Sequence, residues 1–285
     1  MEIVRARDMG FCFGVRRAVN LMEKAAQEGP INSLGSIVHN PQVVDRLQER
    51  GVMSVKSFDD VTEGRVAITA HGVGPAIYQE AGDRGLPVVD TTCTIVHRAQ
   101  AAAKKLADEG FAVIIYGDPD HKEVRGILAW AGDYCIATTD WDEVTPLLRL
   151  RRRIGLLAQT TKHTDHFQAF CKRVIDYCLH RAIEIRVVNT LCHVTTKQQQ
   201  AVVDLAPTVD LMIVVGGKSS ANTRQLRELA ESLGTPAHHI ETPDEIDPAW
   251  LVSRDRVGVT AGASTPDWII DAVVERLEQL AASRV

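Results

Sequence analysis

A threefold internal repeat constrains this chain more than any other feature of its sequence. Three segments open on a cysteine and continue as an amphipathic helical stretch. These are Cys12 with Val15, Val19 and Met22 on one face, Cys93 with Val96, Ala99, Ala103 and Leu106, and, less cleanly, Cys192 with Val194, Ala201 and Leu205. Each stretch leads to a short apolar strand that ends in glycine 23, 24 and 24 positions after its cysteine, at Gly35, Gly117 and Gly216. A polar cluster follows each glycine: His39 and Asn40, then His121 and Glu123, then Ser219, Ser220 and Asn222. A second apolar strand in each unit ends in another polar group. These strands run from Val66 to His71 and Gly72, from Ile154 to Gln159, Thr160 and Thr161, and from Val257 to Ser264. Two units close on matching junctions, Asp90-Thr91-Thr92-Cys93 and Asn189-Thr190-Leu191-Cys192, and the third closes on a helix around Trp268 to Leu280.

Short strands alternating with helices predict an α/β protein built from βαβ units with mostly parallel sheets. Length alone suggests about two domains. The repeat favours three small units instead, at 13–92, 93–191 and 192–285, with residues 1–12 adding a strand to the third. Ligands of open parallel sheets gather beyond the carboxyl ends of the strands, which is where all the polar clusters fall. Three units packed around a pseudo-threefold axis would aim those ends at one central site. The plain alternative is a set of ordinary strand-end turns, since Gly, Ser and Asn are common there. The shared cysteine-to-glycine offset weighs against it.

Six cysteines must then be sorted. No run approaches 18 apolar residues, and Met1 to Arg5 lacks the basic and apolar segments of a signal peptide, so the expected location is cytoplasmic, with no membrane association. In that compartment three disulfides are disfavoured. Cys12, Cys93 and Cys192 suit metal ligation. Zinc usually takes paired CxxC spacings, absent here; single, widely separated cysteines fit an iron–sulfur cluster at least as well. Three thiolates would leave one iron of a 4Fe–4S cluster without a protein ligand, able to act as a Lewis acid. Cys135, Cys171 and Cys178 lie in apolar strand or helix sequence and read as core. A net charge of −5 is no footprint for a non-specific nucleic-acid binder. The remaining strand-end residues, His39, His71, His121, Glu123, Thr160, Thr161, Ser220, Asn222 and Ser264, suit a phosphate or diphosphate. Neither a GxxxxGK[ST] nor a GxGxxG element marks a nucleotide. An enclosed Glu123 beside an anionic cluster would have a raised pKa and could deliver a proton.

Taken together, Gly10-Phe11-Cys12-Phe13-Gly14-Val15, Val38-His39-Asn40, Ala70-His71-Gly72, Asp90-Thr91-Thr92-Cys93, His121 with Glu123, Gln159-Thr160-Thr161, Asn189-Thr190-Leu191-Cys192 and Thr260-Ala261-Gly262-Ala263-Ser264 resemble the 4-hydroxy-3-methylbut-2-enyl diphosphate reductase family. The resemblance covers essentially the whole chain. It implies a trefoil of three pseudo-threefold-related α/β units around a central 4Fe–4S cluster held by Cys12, Cys93 and Cys192, which oxidation could reduce to a 3Fe–4S form. It implies that the allylic diphosphate loses its hydroxyl as water, with two electrons and two protons, to give isopentenyl and dimethylallyl diphosphate. Glu123 would be the proton donor and Thr160 the hydroxyl that relays or orients it. His39, His71, His121, Thr161, Ser220, Asn222 and Ser264 would bind the diphosphate. Ferredoxin or flavodoxin would be the electron donor.

Four positions depart from the family pattern. Thr94 follows the second cysteine in place of proline, and Lys122 replaces the proline between His121 and Glu123. Ser220-Ala221-Asn222 replaces Ser-Ser-Asn, and Gln198-Gln199 replaces Arg-Gln. These changes keep two alternatives in view: a paralogue acting on a modified allylic diphosphate, and a non-redox iron–sulfur hydro-lyase. The run Arg149 to Arg153 reads as a solvated loop, with a docking patch for an acidic electron donor as the alternative.

Overall fold

The computed structural model describes residues 1–283. Strand β1 (Glu2–Arg5) comes first. The first repeat runs α1 (Phe13–Ala26), β2 (Ile31–Leu34), α2 (Pro41–Gln48), β3 (Val52–Val55), β4 (Arg65–Ile68), α3 (Pro75–Asp83) and β5 (Val88–Asp90). The second runs α4 (Thr94–Asp108), β6 (Ala112–Tyr116), α5 (Lys122–Leu128), β7 (Cys135–Thr138), α6 (Trp141–Leu150), β8 (Arg153–Ala158), α7 (Thr164–Leu179) and β9 (Glu184–Val187). The third runs α8 (His193–Leu205), β10 (Leu211–Val215), α9 (Ala221–Ser232), β11 (Ala237–Ile240), β12 (Arg256–Ala261) and α10 (Asp267–Ala282). Among the described residues, no helix is long and apolar enough to cross a membrane.

The strands form three four-stranded sheets of the same topology, β3-β2-β4-β5, β7-β6-β8-β9 and β11-β10-β12-β1, and every pairing is parallel. In the third sheet the fourth position is taken by β1, with Val4 opposite Gly258. In all three sheets, therefore, the fourth strand runs into a cysteine: β1 into Cys12, β5 into Cys93 and β9 into Cys192. The described residues divide into two compact units. One comprises 1–16, 38–46 and 193–285 and holds the third sheet; the other comprises 17–37 and 47–192 and holds the first two.

Parallel sheets are covered on both faces, and β6 and β10, central in the second and third sheets, are buried and apolar throughout, whereas β2 places Asn32 and Ser33 between Ile31 and Leu34. Alternation then decides which helix each side chain meets. In the second sheet Ala112, Ile114, Tyr116, Ile154, Leu156 and Ala158 pack against Val144 and Leu148 of α6 and Phe167, Phe170 and Val174 of α7. The intervening Val113, Ile115 and Leu157 meet Ala99, Ala103 and Leu106 of α4 and Val124 and Ile127 of α5. The third sheet repeats the arrangement, with Leu211, Ile213 and Val215 toward α10 and Met212 and Val214 toward α8 and α9. Cys171 and Cys178 are buried in the core beneath α7. Burial pushes the Cys171 thiol up to about 11, which makes it inert at neutral pH. Cys135 is half-buried in β7.

Three elements depart from the sequence-based expectation. Strands β3 and β11 are short edge strands: Ser54 interrupts β3, whose Met53 is exposed, and two histidines make up half of β11, so neither carries an unbroken apolar run. The 3-10 turn Pro243–Glu245 follows β11 closely. The arginine run is not one loop. Arg149 lies in the last turn of α6 and Arg153 opens β8, where it pairs with Glu184 at 2.8 Å, while Arg151 stacks on Tyr134 at 3.3 Å. The run sits at the amino end of β8, the opposite end of that strand from Thr160.

Gly155 of β8 lets α4 lie close on the sheet, because a Cβ there would stand 2.8 Å from Leu106 Cδ1. A Gly155→Val variant is therefore overpacked and should lose about 1–3 kcal/mol of stability, read as a lower urea midpoint with an unchanged m-value.

Candidate active site

The same local device ends each fourth strand. The Cys12 amide donates to the Ala263 carbonyl at 3.0 Å, the Cys93 amide to Ala70 at 3.0 Å and the Cys192 amide to Thr160 at 2.8 Å. Each acceptor lies just past the third strand of the same sheet, so each cysteine is fixed against the polar cluster that the sequence marks there. The junction residues prepare this bond. Asp90 Oδ1 accepts from the Thr92 amide at 2.8 Å and Asn189 Oδ1 from the Leu191 amide at 3.0 Å, two equivalent Asx turns. The Thr91 hydroxyl donates to the Ile68 carbonyl at 2.5 Å, and that of Thr190 to Ala158 at 2.6 Å. Asp90 is held below its usual range: burial opposes ionisation, but the bonds from Thr92, the Tyr78 hydroxyl and the nearby His97 outweigh it.

Every cysteine also begins a helix. The Val15 amide donates to Cys12 Sγ at 3.3 Å, and the amides of Ile95 and Val96 bond the Cys93 sulfur. Burial nevertheless pushes the Cys93 thiol up, and the negative charges of Cys192 and Glu123 push it further. Two sulfurs and a carboxyl whose negative forms disfavour one another are a set that the cationic core of an iron–sulfur cluster would relieve, and helix-start amides favour the sulfur anions. The donor set thus fits a cluster. Among the described residues, no three His, Cys, Asp or Glu side chains are arranged to hold one metal ion.

The second helix of each repeat starts within one of the strand-end polar clusters. Asn40 caps α2, its Oδ1 accepting from the Val43 amide at 3.1 Å; His121 caps α5 through Nδ1 and the Glu123 amide at 3.2 Å; Ser220 caps α9 through Oγ and the Thr223 amide at 3.3 Å. The bond at His121 Nδ1 places the neutral ring's proton on Nε2. His71 lies edge-on to His121 with ring centroids 5.9 Å apart, and its Nδ1 stands 3.3 Å from Thr69 Oγ1.

Glu123 is 3% exposed. Its Oε1 accepts from the Thr160 amide at 2.7 Å and its Oε2 from the Thr160 hydroxyl at 2.8 Å. Burial raises its pKa and these two bonds oppose the rise; the net direction is up. Thr161 Oγ1 accepts from Gln159 Nε2 at 3.3 Å. In the other compact unit, Ser264 Oγ donates to the His39 carbonyl at 3.2 Å, Ser219 Oγ is 3.5 Å from His39 Nδ1, and Gly217 packs on the His39 carbonyl where any Cβ would collide. Asn222 and Gln198 are buried together there. Of the departing residues, Lys122 is exposed on α5 and Thr94 is the first residue of α4.

Sequence reasoning missed the residues that fix the turn carrying His71. Gln100 Nε2 and Trp130 Nε1 both donate to the Val73 carbonyl, at 3.2 and 2.9 Å, and Gly126 admits the Gly72 carbonyl closely. Gln100 and Trp130 lie 27 and 57 positions from Val73, so no local pattern marks them.

The protein-family profile described as LytB protein matches residues 3–278. A curated relative from Dehalococcoides mccartyi (strain CBDB1), named 4-hydroxy-3-methylbut-2-enyl diphosphate reductase, is 47% identical over 283 residues and covers 99% of both chains. A relative of the same name from Geobacter metallireducens is 44% identical, covering all of this chain and 99% of its own. One solved structure, described as (E)-4-hydroxy-3-methyl-but-2-enyl diphosphate reductase, the terminal enzyme of the non-mevalonate pathway, superposes with a TM-score of 0.72 at 38% identity, covering 98% of this chain and 100% of that one. The Plasmodium falciparum E-1-hydroxy-2-methyl-but-2-enyl-4-diphosphate reductase gives 0.87 at 26% identity, covering 96% and 87%.

The raised Glu123 pKa fixes a pH dependence of stability. A carboxyl with a raised folded-state pKa stabilises the fold fully below its unfolded pKa, and that contribution fades as pH rises through the folded value. In urea titrations across pH, Glu123→Gln should therefore gain stability relative to the parent as pH rises above the ordinary carboxylate range. A pH-independent difference between the two proteins would contradict this.

Proposed function

Since the chain belongs to the LytB protein family, we propose that its residues carry out the two-electron dehydroxylation of 4-hydroxy-3-methylbut-2-enyl diphosphate to isopentenyl and dimethylallyl diphosphate. The family is one of iron–sulfur oxidoreductases of isoprenoid biosynthesis. The enzyme acts on a small diphosphate and needs a reductant. The likeness of both whole chains favours neither the modified-substrate paralogue nor the hydro-lyase.

When bound, the cluster supplies electrons and a Lewis-acidic iron. The residues that would hold it are Cys12, Cys93 and Cys192, as a 4Fe–4S cluster with one iron free of protein ligands. The buried Glu123–Thr160 pair is the observation that carries the proton-delivery reading. Burial keeps a proton on Glu123 at higher pH than water would, and Thr160 holds the carboxyl in one orientation. Thr160 also gives its carbonyl to the Cys192 amide, so the proton donor and one cluster ligand are referred to the same residue. His71 and His121 would hold the diphosphate as Nε2–H donors, joined by Thr161, and His39, Ser220, Asn222 and Ser264 would complete its binding. The units 13–92, 93–191 and 192–285 would act as three repeats, each presenting one cysteine. We place the enzyme in the cytoplasm, with ferredoxin or flavodoxin as its reductant.

The test is anaerobic purification, cluster reconstitution, and turnover of the allylic diphosphate with dithionite and a mediator. Electron-dependent formation of C5 diphosphates is expected; turnover without reductant would make it a hydro-lyase. Replacing Cys93 by Ser should abolish the cluster's visible absorbance and its EPR signal. Glu123→Gln should keep the cluster and substrate binding but lose most turnover, since general acid catalysis typically contributes 10²–10⁴-fold. Normal rates in that variant would refute the proton-donor role.

A further inference from the structure

Gln198, one of the positions that depart from the family pattern, is 2% exposed on α8, and Asn222 is 5% exposed on α9. Gln198 Nε2 donates to the Gly10 carbonyl at 2.9 Å, and Asn222 Nδ2 donates to Gln198 Oε1 at 3.1 Å. A backbone carbonyl can only accept, so the nitrogen end of Gln198 must face Gly10. Its oxygen must then face Asn222, and Asn222 must answer with nitrogen. Turning either amide would set two oxygens against each other. The direction of the whole relay is thus decided at Gly10, two positions before Cys12. Its free end is Asn222 Oδ1, which is buried and has no hydrogen-bond partner among the described residues. A buried acceptor without a donor is destabilising, and an unprotonated oxyanion brought to it is repelled.

Resting on the reading that Asn222 meets the diphosphate, we propose that Gln198 is a positioning residue that turns the Asn222 oxygen to the ligand, so that position 222 accepts a hydrogen bond from a protonated phosphoryl oxygen instead of donating to an oxyanion. An arginine at position 198 would act in the opposite sense. Arginine only donates, so it would claim the Asn222 oxygen and leave the nitrogen for the ligand. The exchange to glutamine therefore reverses the polarity of a binding residue without touching that residue. The same helix start already has Ala221 in place of a hydroxyl, so this unit offers fewer donors to an anion.

The experiment uses reconstituted holoenzyme with inorganic diphosphate as a competitive inhibitor and the cluster EPR signal as the check of integrity. Gln198→Met removes the acceptor that holds Asn222 Nδ2 and frees the amide to turn. Inorganic diphosphate should then bind about three- to tenfold more tightly, a gain that a merely structural glutamine cannot produce, and a second change, Asn222→Ala, should erase it. Unchanged or weaker binding with an intact EPR signal overturns the proposal. In the parent, Asn222→Ala should weaken inorganic diphosphate by about two- to tenfold; an effect on the KM of the allylic substrate alone would mean that the substrate hydroxyl is the donor, and also overturns it. If Gln198→Met does not retain its cluster, the parent decides. On diphosphate binding, the Asn222 side-chain NH2 resonances, assigned through their loss in Asn222→Ala, should stay in place; a downfield shift shows a nitrogen-first contact and refutes the idea. Asn222→Asp tests the underlying reading separately. Added negative charge should weaken inorganic diphosphate more than tenfold, and no change would remove Asn222 from the site whichever way Gln198 turns.

Discussion

The structure depends on one hydrogen bond made three times, from a cysteine amide to the carbonyl just past the third strand of its sheet. Without it a cysteine after a short edge strand would sit in a loop with no fixed direction. With it, the sulfur, the start of the following helix and the neighbouring strand-end cluster are held as one rigid piece. Strand alternation and helix packing serve mainly to bring the third and fourth strands of each sheet to the right stagger for that bond. The Asx turns at Asp90 and Asn189 and the hydroxyls of Thr91 and Thr190 complete the arrangement in two of the three copies.

Glu123 shows how such a frame produces chemistry. A buried carboxyl left alone would be neutral and poorly aimed; one bound only by donors would be ionised and a poor acid. Burial and the two Thr160 donors pull in opposite directions, and burial wins while the donors fix the geometry. The balance is local, since both residues belong to the second repeat and both stand at ends of its elements.

Much of this was legible in the sequence, because the repeat is written in residues whose neighbours along the chain are also their neighbours in space. Cysteine, helix, strand and glycine follow in order, and the strand-end polar groups announce themselves by interrupting apolar runs. Strands β3 and β11 were not legible: an edge strand such as Ala-His-His-Ile has no apolar face to show. The clasp on Val73 and the Gly10–Gln198–Asn222 relay were hidden for another reason. They join positions 24 to 188 residues apart through side-chain amides and one indole, which carry no periodicity. The meaning of Gln198 in particular lies in the direction of its two bonds, which residue type alone does not give.

The placement of β1 as the fourth strand of the third sheet has a consequence in time. Cys12 leaves the ribosome long before Cys93 and Cys192, yet the strand that β1 pairs with and the carbonyl that fixes the Cys12 amide lie at 256–259 and 263. The first sheet and the second can each close as their own residues emerge, while the third must wait for a contact spanning some 250 positions, the kind that is slow to form because its loop-closure entropy is lost before any pairing is gained. The earliest cysteine made is therefore the last to acquire a fixed geometry, and any group that needs all three is assembled on a chain that has already been synthesised through its last sheet strand.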